Sequence, residues 1–264
     1  MNALRAVFIY EWKRSLTAGR IVWWFVMASF PAVLTILIRA IPGFELQIRG
    51  EERDNFWSMT LYFLVPCVGS ALSVLLTAGP AVAAELEQRS WVYMATRPNG
   101  IFWLLIGKYL VAVTWGFTAA VMGATTSIAL ANAVTPVQIW IGLVALSFLS
   151  CVSYSAVYLL VGVISPKRAM VFCVMYTGFV EVVLGFIPAL VNRLTVQFRL
   201  RSLLVQWMPL NDEVRQMPSF SYVFGEGSAF LHCFWLVALV VLFLAAALTI
   251  AHRKEFTTAS EGDL

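Results

Sequence analysis

The sequence predicts an all-α polytopic membrane protein with six transmembrane helices. Of its 264 residues, 61% are hydrophobic and 12% are charged, whereas a soluble domain carries about a quarter charged residues. Several apolar stretches also reach the roughly 20 residues that a helix needs to cross the hydrocarbon core of a bilayer. Because the charges are too few to coat a globule, most of the surface is expected to face lipid. The whole chain, residues 1–264, is predicted to be one transmembrane domain.

The six predicted spans are residues 21–38, 57–84, 109–131, 137–164, 169–190 and 229–251. The first stretch is interpreted as a retained span, since Arg39 and Pro42 follow it where a signal peptide would have a small-residue cleavage site. Residues 192–228 combine apolar clusters with charges and prolines, which predicts short, partly re-entrant helices that cap the outer side of the bundle. Residues 252–264 are predicted to be a polar, disordered tail.

The distribution of basic residues predicts the orientation. With six spans both termini lie on one side, and that side holds eleven Lys and Arg against seven on the other. The positive-inside rule then places both termini in the cytosol. The basic residues are spread along the chain, so no nucleic-acid partner is expected. The four cysteines lie in apolar runs, where Cys behaves as a small hydrophobe rather than as part of a disulfide or metal framework.

An amphipathic helix is predicted at residues 3–19, ahead of the first span. Apolar side chains such as Val7, Phe8 and Trp12 recur there at three- and four-residue spacing. A helix that carries Trp on one arc and Lys or Arg on the other suits the headgroup layer, so it is expected to lie on the inner leaflet. A topology anchor with no further role is the alternative.

A polar insert at residues 85–100 interrupts the apolar sequence between the second and third spans. Its spacing predicts a short amphipathic helix on which Glu85, Glu87 and Arg89 face water. Pro98 ends this helix, since the residue before a proline avoids the α region, and the two residues that follow Pro98 make a turn. An interfacial loop helix without a partner is the alternative to a helix that a partner protein contacts.

Six residues here resemble the segment after the second span of ABC-2-type transporter permeases: Glu85, Arg89, Arg97, Pro98, Gly107 and Lys108. The layout is similar as well, with an N-terminal elbow helix, six spans, cytosolic ends and a longer outer segment before the last span. The motif covers only residues 85–108, while the layout covers the whole chain. The chain departs from the family at residues 88–91, where Gln-Arg-Ser-Trp stands in place of the Glu-Arg-Gly that often follows the acidic pair.

This resemblance implies the transmembrane subunit of an ATP-driven ABC transporter, most often an exporter, that works by alternating access. The implied partners are a separate ABC ATPase subunit, a second permease copy in a homodimer or related heterodimer, the lipid membrane, and accessory or substrate-delivering proteins. The implied location is the plasma membrane, in bacteria the inner membrane.

On this reading the chain is not an enzyme and holds no cofactor. ATP and magnesium would bind the partner, in keeping with the lack of a G-x-x-x-x-G-K-[ST] motif in the sequence. The resemblance further implies that residues 85–96 contain or adjoin a coupling helix and that the elbow helix also touches the ATPase. The predicted ATPase-coupling residues are Glu85, Glu87, Arg89, Trp91, Arg97, Pro98 and Lys108.

Polar residues inside the predicted spans leave two interpretations open. Ser147, Ser150 and Tyr154 share one face of the fourth span, where they either line a translocation path or form interhelical hydrogen bonds. Glu181 is the one acid deep in a span, and it is either a cavity or dimer-interface residue that touches substrate or a neutral structural acid. An ATP-independent carrier or a scaffold is the alternative function. A carrier is expected to show several intramembrane ionisable groups or broken helices, and only Glu181 qualifies in the sequence.

Overall fold

The computed structural model describes residues 3–43, 50–88, 90, 91, 93, 96–183, 192, 195–210 and 227–254. These residues form helices and no strand. Among them, five helices are long and apolar enough to cross a membrane. The protein is therefore a helical membrane protein, as the composition predicts.

The helices before the insert are α1 (Ala3–Ser15), α2 (Ala18–Arg39), α3 (Glu51–Tyr62), α4 (Ser70–Ala78) and α5 (Ala81–Glu87). A π-helical segment, Phe63–Gly69, joins α3 to α4, and the run Glu52–Glu87 is one candidate span. The helices after the insert are α6 (Gly100–Ala131), α7 (Pro136–Ile164), α8 (Ala169–Met175), α9 (Val196–Trp207) and α10 (Ala229–Arg253). A second π-helical segment, Tyr176–Val183, continues α8.

Some helix bounds differ from those predicted. The amphipathic helix ends at Ser15 rather than at residue 19, because Thr17 accepts a hydrogen bond from the Arg20 amide and caps a new helix that starts at Ala18. The third span, predicted at residues 109–131 with an interfacial start at Ile101, is one continuous helix from Gly100 to Ala131, because the apolar residues that follow Gly100 continue the helix. The predicted turn is confirmed, since Asn99 has a φ of 56°.

The sixth span is still a prediction. The stretch predicted as the fifth span, residues 169–190, is described only as far as Val183 and is π-helical from Tyr176. Residues 184–190, 211–226 and 255–264 lie outside the described residues, so most of the predicted outer segment and tail does too. Within the outer segment, α9 is a helix of the kind predicted there.

Helix α7 forms the centre of the bundle. It packs against α4, α6, α9 and α10, and residues along its whole length, including Ile139, Leu146 and Tyr158, are fully buried. Helices α2 and α10 lie at the periphery and expose large apolar side chains such as Phe25 and Phe230. Such continuous apolar surface suits contact with lipid acyl chains or with another membrane helix.

The π-helical turn at Phe63–Gly69 follows from Pro66, which has no amide hydrogen to donate. The Ser70 amide donates to the carbonyl of Val65 instead of continuing the α pattern, which leaves the Pro66 carbonyl free. Ser150 on α7 donates its hydroxyl to that carbonyl at 2.6 Å. A distortion of the second span is thus stabilised by a side chain from the fourth.

Candidate functional site at the insert end of the bundle

Four charged side chains meet where α1 packs against α5 and α6, and we call this group the ion cluster: Glu11, Arg14, Glu85 and Lys108. The buried Glu85 carboxylate lies 2.5 Å from Arg14 Nη1 and 2.7 Å from Lys108 Nζ. Lys108 Nζ also donates to Glu11 Oε2 at 3.2 Å, and Arg14 Nη1 lies 3.7 Å from Glu11 Oε1. Two acids and two bases give the cluster a formal charge of zero.

Two residues at the start of the insert extend the ion cluster. Arg14 Nη2 donates to the side-chain oxygen of Gln88, and the Ser90 hydroxyl donates to the Glu85 carboxylate. Buried charges are tolerated only when they are paired and hydrogen-bonded, and removing one partner leaves an uncompensated charge. The ion cluster therefore fixes α1, α5 and α6 against one another at the point where the insert begins.

A close approach between α1 and α6 accompanies the ion cluster. A Cβ atom at Gly107 would lie 2.7 Å from the Val7 side chain, so only glycine fits there unless that side chain or α1 shifts. Further along, Trp12 stacks on Trp115 with ring centroids 5.3 Å apart, and Trp115 Nε1 donates to the Ser15 hydroxyl at 2.8 Å. Helix α1 is thus packed along the first part of α6 by apolar, polar and ionic contacts together.

Three of the predicted coupling residues are buried within the chain. The prediction that Glu85 faces water is wrong: its carboxylate is completely shielded because it pairs with Arg14 and Lys108. Lys108 is itself largely buried in the ion cluster. Trp91 is 7% exposed and belongs to the hydrophobic core of the bundle. These three residues anchor the insert to the helices around it.

Other predicted coupling residues lie on the surface. Glu87, Arg97 and Pro98 are exposed, and Tyr93, which the sequence analysis did not single out, is 74% exposed. Arg89 lies outside the described residues. The insert therefore has a buried base and an exposed tip that carries both signs of charge and an aromatic ring, which is a surface suited to protein contact.

Sequence reasoning missed two residues of α1: Arg14, which pairs with Glu85, and Glu11, which pairs with Arg14 and Lys108. Glu11 is the one acid among the first twenty residues, on a helix that otherwise carries only basic charges. That isolated acid was a usable signal for an internal ion pair. Gly107 gave no such signal, because the close approach of Val7 depends on how α1 folds back onto α6.

Glu181 lies in the second π-helical segment and caps helix α9. Its carboxylate accepts hydrogen bonds from the backbone amides of Val196 and Gln197, at 3.3 and 2.9 Å, and from the Tyr176 hydroxyl at 2.8 Å. A carboxylate at the first turn of a helix satisfies amides that have no partner inside the helix and complements its dipole. The structural interpretation of Glu181 thus has a specific basis, while contact with substrate stays a prediction.

The polar face of the fourth span lies inside the bundle. Ser147, Ser150 and Tyr154 are fully buried. Ser150 bonds to the Pro66 carbonyl, and the Tyr154 hydroxyl accepts from the Gln197 side chain at 2.8 Å. These contacts favour the interhelical interpretation for Ser150 and Tyr154, and a role in a translocation path stays a prediction.

A cavity lies at the opposite end of the bundle, beside the start of α7. It measures about 770 Å³, and its described lining, which includes Val137, Ile141 and Trp207, contains no charged side chain. In the described part of the chain no three His, Cys, Asp or Glu residues lie together as a metal site requires. The most distinctive chemistry of the described residues is therefore at the insert end.

No protein-family model matches this chain, and no curated protein matches it. The resemblance to ABC-2-type permeases consequently depends on the residues of the insert and on the layout of the helices.

Proposed function

We propose that the protein is the membrane subunit of an ATP-driven transporter of the ABC-2 type, and that a separate ATPase subunit docks on the insert. In this proposal the chain works as a dimer and exports its substrate by alternating access. The observation that carries the proposal is the arrangement of the insert. Its tip is exposed, and Glu85 at its base forms buried ion pairs with α1 and α6.

The base of the insert supports the proposal because buried ion pairs connect it to two other helices. A partner can shift a membrane protein between two states only through contacts that differ in those states. A displacement applied at the tip has to reach the helices, and a loose loop would absorb it. Here Glu85 connects the end of the second span to α1 through Arg14 and to the third span through Lys108.

The tip supports the proposal because its side chains are free to contact another protein. Tyr93 is largely exposed, and Glu87 and Arg97 extend into solvent on either side of it in the sequence. Tyr and Arg are enriched among the residues that dominate binding energy at protein interfaces. A loop that only connected two spans would have no need of this combination.

Purification of the full-length tagged chain from its native membranes in mild detergent tests the proposal. The expected result is a stable complex with a protein that carries a P-loop ATPase sequence and hydrolyses ATP. Arg97→Glu at the tip should weaken the complex. Glu52→Lys, a charge reversal of the same size at an exposed position on the opposite end, should leave it intact. If both variants retained the ATPase equally, or if no ATPase accompanied the wild-type chain, the proposal would be wrong.

A second candidate, an ATP-independent carrier, is favoured by one observation. Glu181 lies in a broken helix, and Arg201, Gln197 and Asn192 are buried near it on and beside α9. Intramembrane ionisable groups in broken helices are typical of ion-coupled carriers. Proton flux through vesicles that contain only this chain, abolished by Glu181→Gln, would support the carrier; no flux without an ATPase would exclude it.

A further inference from the structure

Two adjoining cavities at the insert end have complementary chemistry, one charged and one aromatic. We propose that together they bind one anionic phospholipid of the adjacent leaflet, with its phosphate at Arg20 and one acyl chain in the aromatic cavity. The proposal concerns a lipid site on a membrane protein and does not depend on whether the chain works with an ATPase.

The charged cavity measures about 230 Å³ and lies between α1, α2, α5 and α6. Glu11, Arg14 and Lys108 of the ion cluster line one side of it, and Arg20 lines it as well. The ion cluster is neutral in itself, because each of its bases is paired with an acid. Arg20 therefore adds a positive charge that the cluster does not balance.

Arg20 is a half-buried arginine, and the acid that acts on it across the cavity, Glu11, is already paired with Lys108. Among the described residues its guanidinium makes no hydrogen bond or ion pair, although its backbone amide bonds to Thr17. A guanidinium out of bulk water without an anion is unfavourable, and its planar fork matches the geometry of a phosphate. Basic pockets between transmembrane helices bind lipid headgroups in this way.

The aromatic cavity extends from the same arginine toward the membrane core. It also measures about 230 Å³, and Trp23, Trp24, Met27 and Trp115 line it. Arg20 and Thr77 line both cavities, so the charged space and the apolar space meet at these two residues. Tryptophan side chains favour the level of the membrane where headgroups give way to acyl chains.

The amphipathic pair of cavities selects a lipid over a soluble anion. A free phosphate would satisfy Arg20 and leave the aromatic cavity unused. Burying the methylene groups of an acyl chain in the aromatic cavity adds binding free energy that a free phosphate cannot gain. A zwitterionic phospholipid would bring a second positive charge toward Arg14, Arg20 and Lys108. An anionic phospholipid fits both spaces.

The site lies directly against the ion cluster, so its occupancy bears on the position of α1. The bound phosphate would lie across the charged cavity from Arg14 and Lys108, the bases that also pair with Glu11 of α1. The acyl chain would pack beside Trp115, which also stacks on Trp12 of α1. Anionic lipid is therefore expected to stabilise the packing of α1 on α6.

Native mass spectrometry of the delipidated full-length protein tests the site. The probes are phosphatidylglycerol, phosphatidylcholine with the same acyl chains, and glycerol 3-phosphate. We expect one phosphatidylglycerol to be retained, with about tenfold weaker retention in Arg20→Gln, the factor that follows from losing one charge-assisted hydrogen bond. Arg253→Gln removes an exposed charge at the same end outside either cavity, and it should retain the lipid as the wild type does.

Three outcomes would overturn the proposal: equal retention of the two phospholipids, equal loss in the two arginine variants, or equal binding of glycerol 3-phosphate. A second measurement needs no variant. Phosphatidylglycerol with a photoreactive group in its acyl chain should label Ala119, which lines the aromatic cavity and is 1% exposed. Labelling confined to exposed positions such as Phe230 on α10 would show only general lipid contact and would contradict the site.

Discussion

Arg14 and Glu85 are separated by 71 positions in the sequence, yet their side chains meet at 2.5 Å inside the insert end of the bundle. One belongs to the N-terminal helix and the other to the last turn of the second span. Lys108, at the start of the third span, completes the contact at 2.7 Å from the same carboxylate. Three elements far apart in sequence are thus held together by one buried acid.

Glu85→Gln is expected to destabilise the protein strongly. Among the described residues, the substitution leaves Arg14 and Lys108 with Glu11 as their one remaining acid. Removing one partner of a buried ion pair costs about 3–5 kcal/mol. Unfolding by SDS in mixed micelles measures the loss. Glu87→Gln, two residues away and exposed, should change the free energy of unfolding by less than about 0.5 kcal/mol. Equal effects in the two variants would mean that the ion cluster contributes nothing specific.

Gly107→Ala is expected to destabilise by about 1–3 kcal/mol, the usual cost of overpacking. The new methyl group would lie 2.7 Å from the Val7 side chain, so that side chain or α1 as a whole has to move away from α6. The double variant Val7→Ala/Gly107→Ala should recover part of the loss, since it removes the atom in the way. Gly19→Ala is the control, because nothing lies within 4 Å of its Cβ position. No recovery in the double variant would contradict the close packing.

Much of the fold was predictable because bilayer thickness sets the length of apolar helices. Five long helices match predicted spans, and the Asn99 turn follows from local chemistry. Periodicity did not predict which polar side chains are buried, because their burial depends on contacts between helices that are distant in the sequence. Glu85 has the spacing of a surface residue, yet it is buried because Arg14 reaches it from α1.

The intramembrane polar residues show the same limit. The sequence pattern around a serine on an apolar helix is the same whether its hydroxyl has a hydrogen-bond partner on another helix or not. Ser150 meets a carbonyl that Pro66 has freed, and Glu181 meets the amides of a helix that begins fifteen residues later. Residue spacing in the sequence predicts neither of these hydrogen bonds, because each depends on which helices pack against each other in the fold.

Ser150→Ala and Ser147→Ala are expected to differ although both serines are fully buried on the same helix. Ser150→Ala leaves the Pro66 carbonyl without its donor, at a cost of about 1–3 kcal/mol. In the described part of the chain the Ser147 hydroxyl has no hydrogen-bond partner, so its removal should be neutral or stabilising. SDS-induced unfolding measures both. A larger loss for Ser147→Ala would show that its hydroxyl has a partner in the working protein.

Glu181→Gln is expected to loosen helix α9. A glutamine offers one acceptor oxygen where the carboxylate accepts from two backbone amides, those of Val196 and Gln197. Hydrogen exchange of these amides should accelerate, while exchange in the middle of α10 should not change. If the variant also left substrate-stimulated ATP turnover of the assembled complex unchanged, the role of Glu181 would be confined to α9. Unaltered exchange at both amides would contradict the capping contact.

Photo-crosslinking from the tip of the insert tests the central claim most directly. A photoreactive amino acid in place of the exposed Tyr93 should crosslink to a P-loop ATPase in native membranes, and the yield should change when a non-hydrolysable ATP analogue is added. The same amino acid in place of Val134, which is 60% exposed at the opposite end of the bundle, should not crosslink to that protein. Crosslinks from position 93 to phospholipid alone would contradict the account.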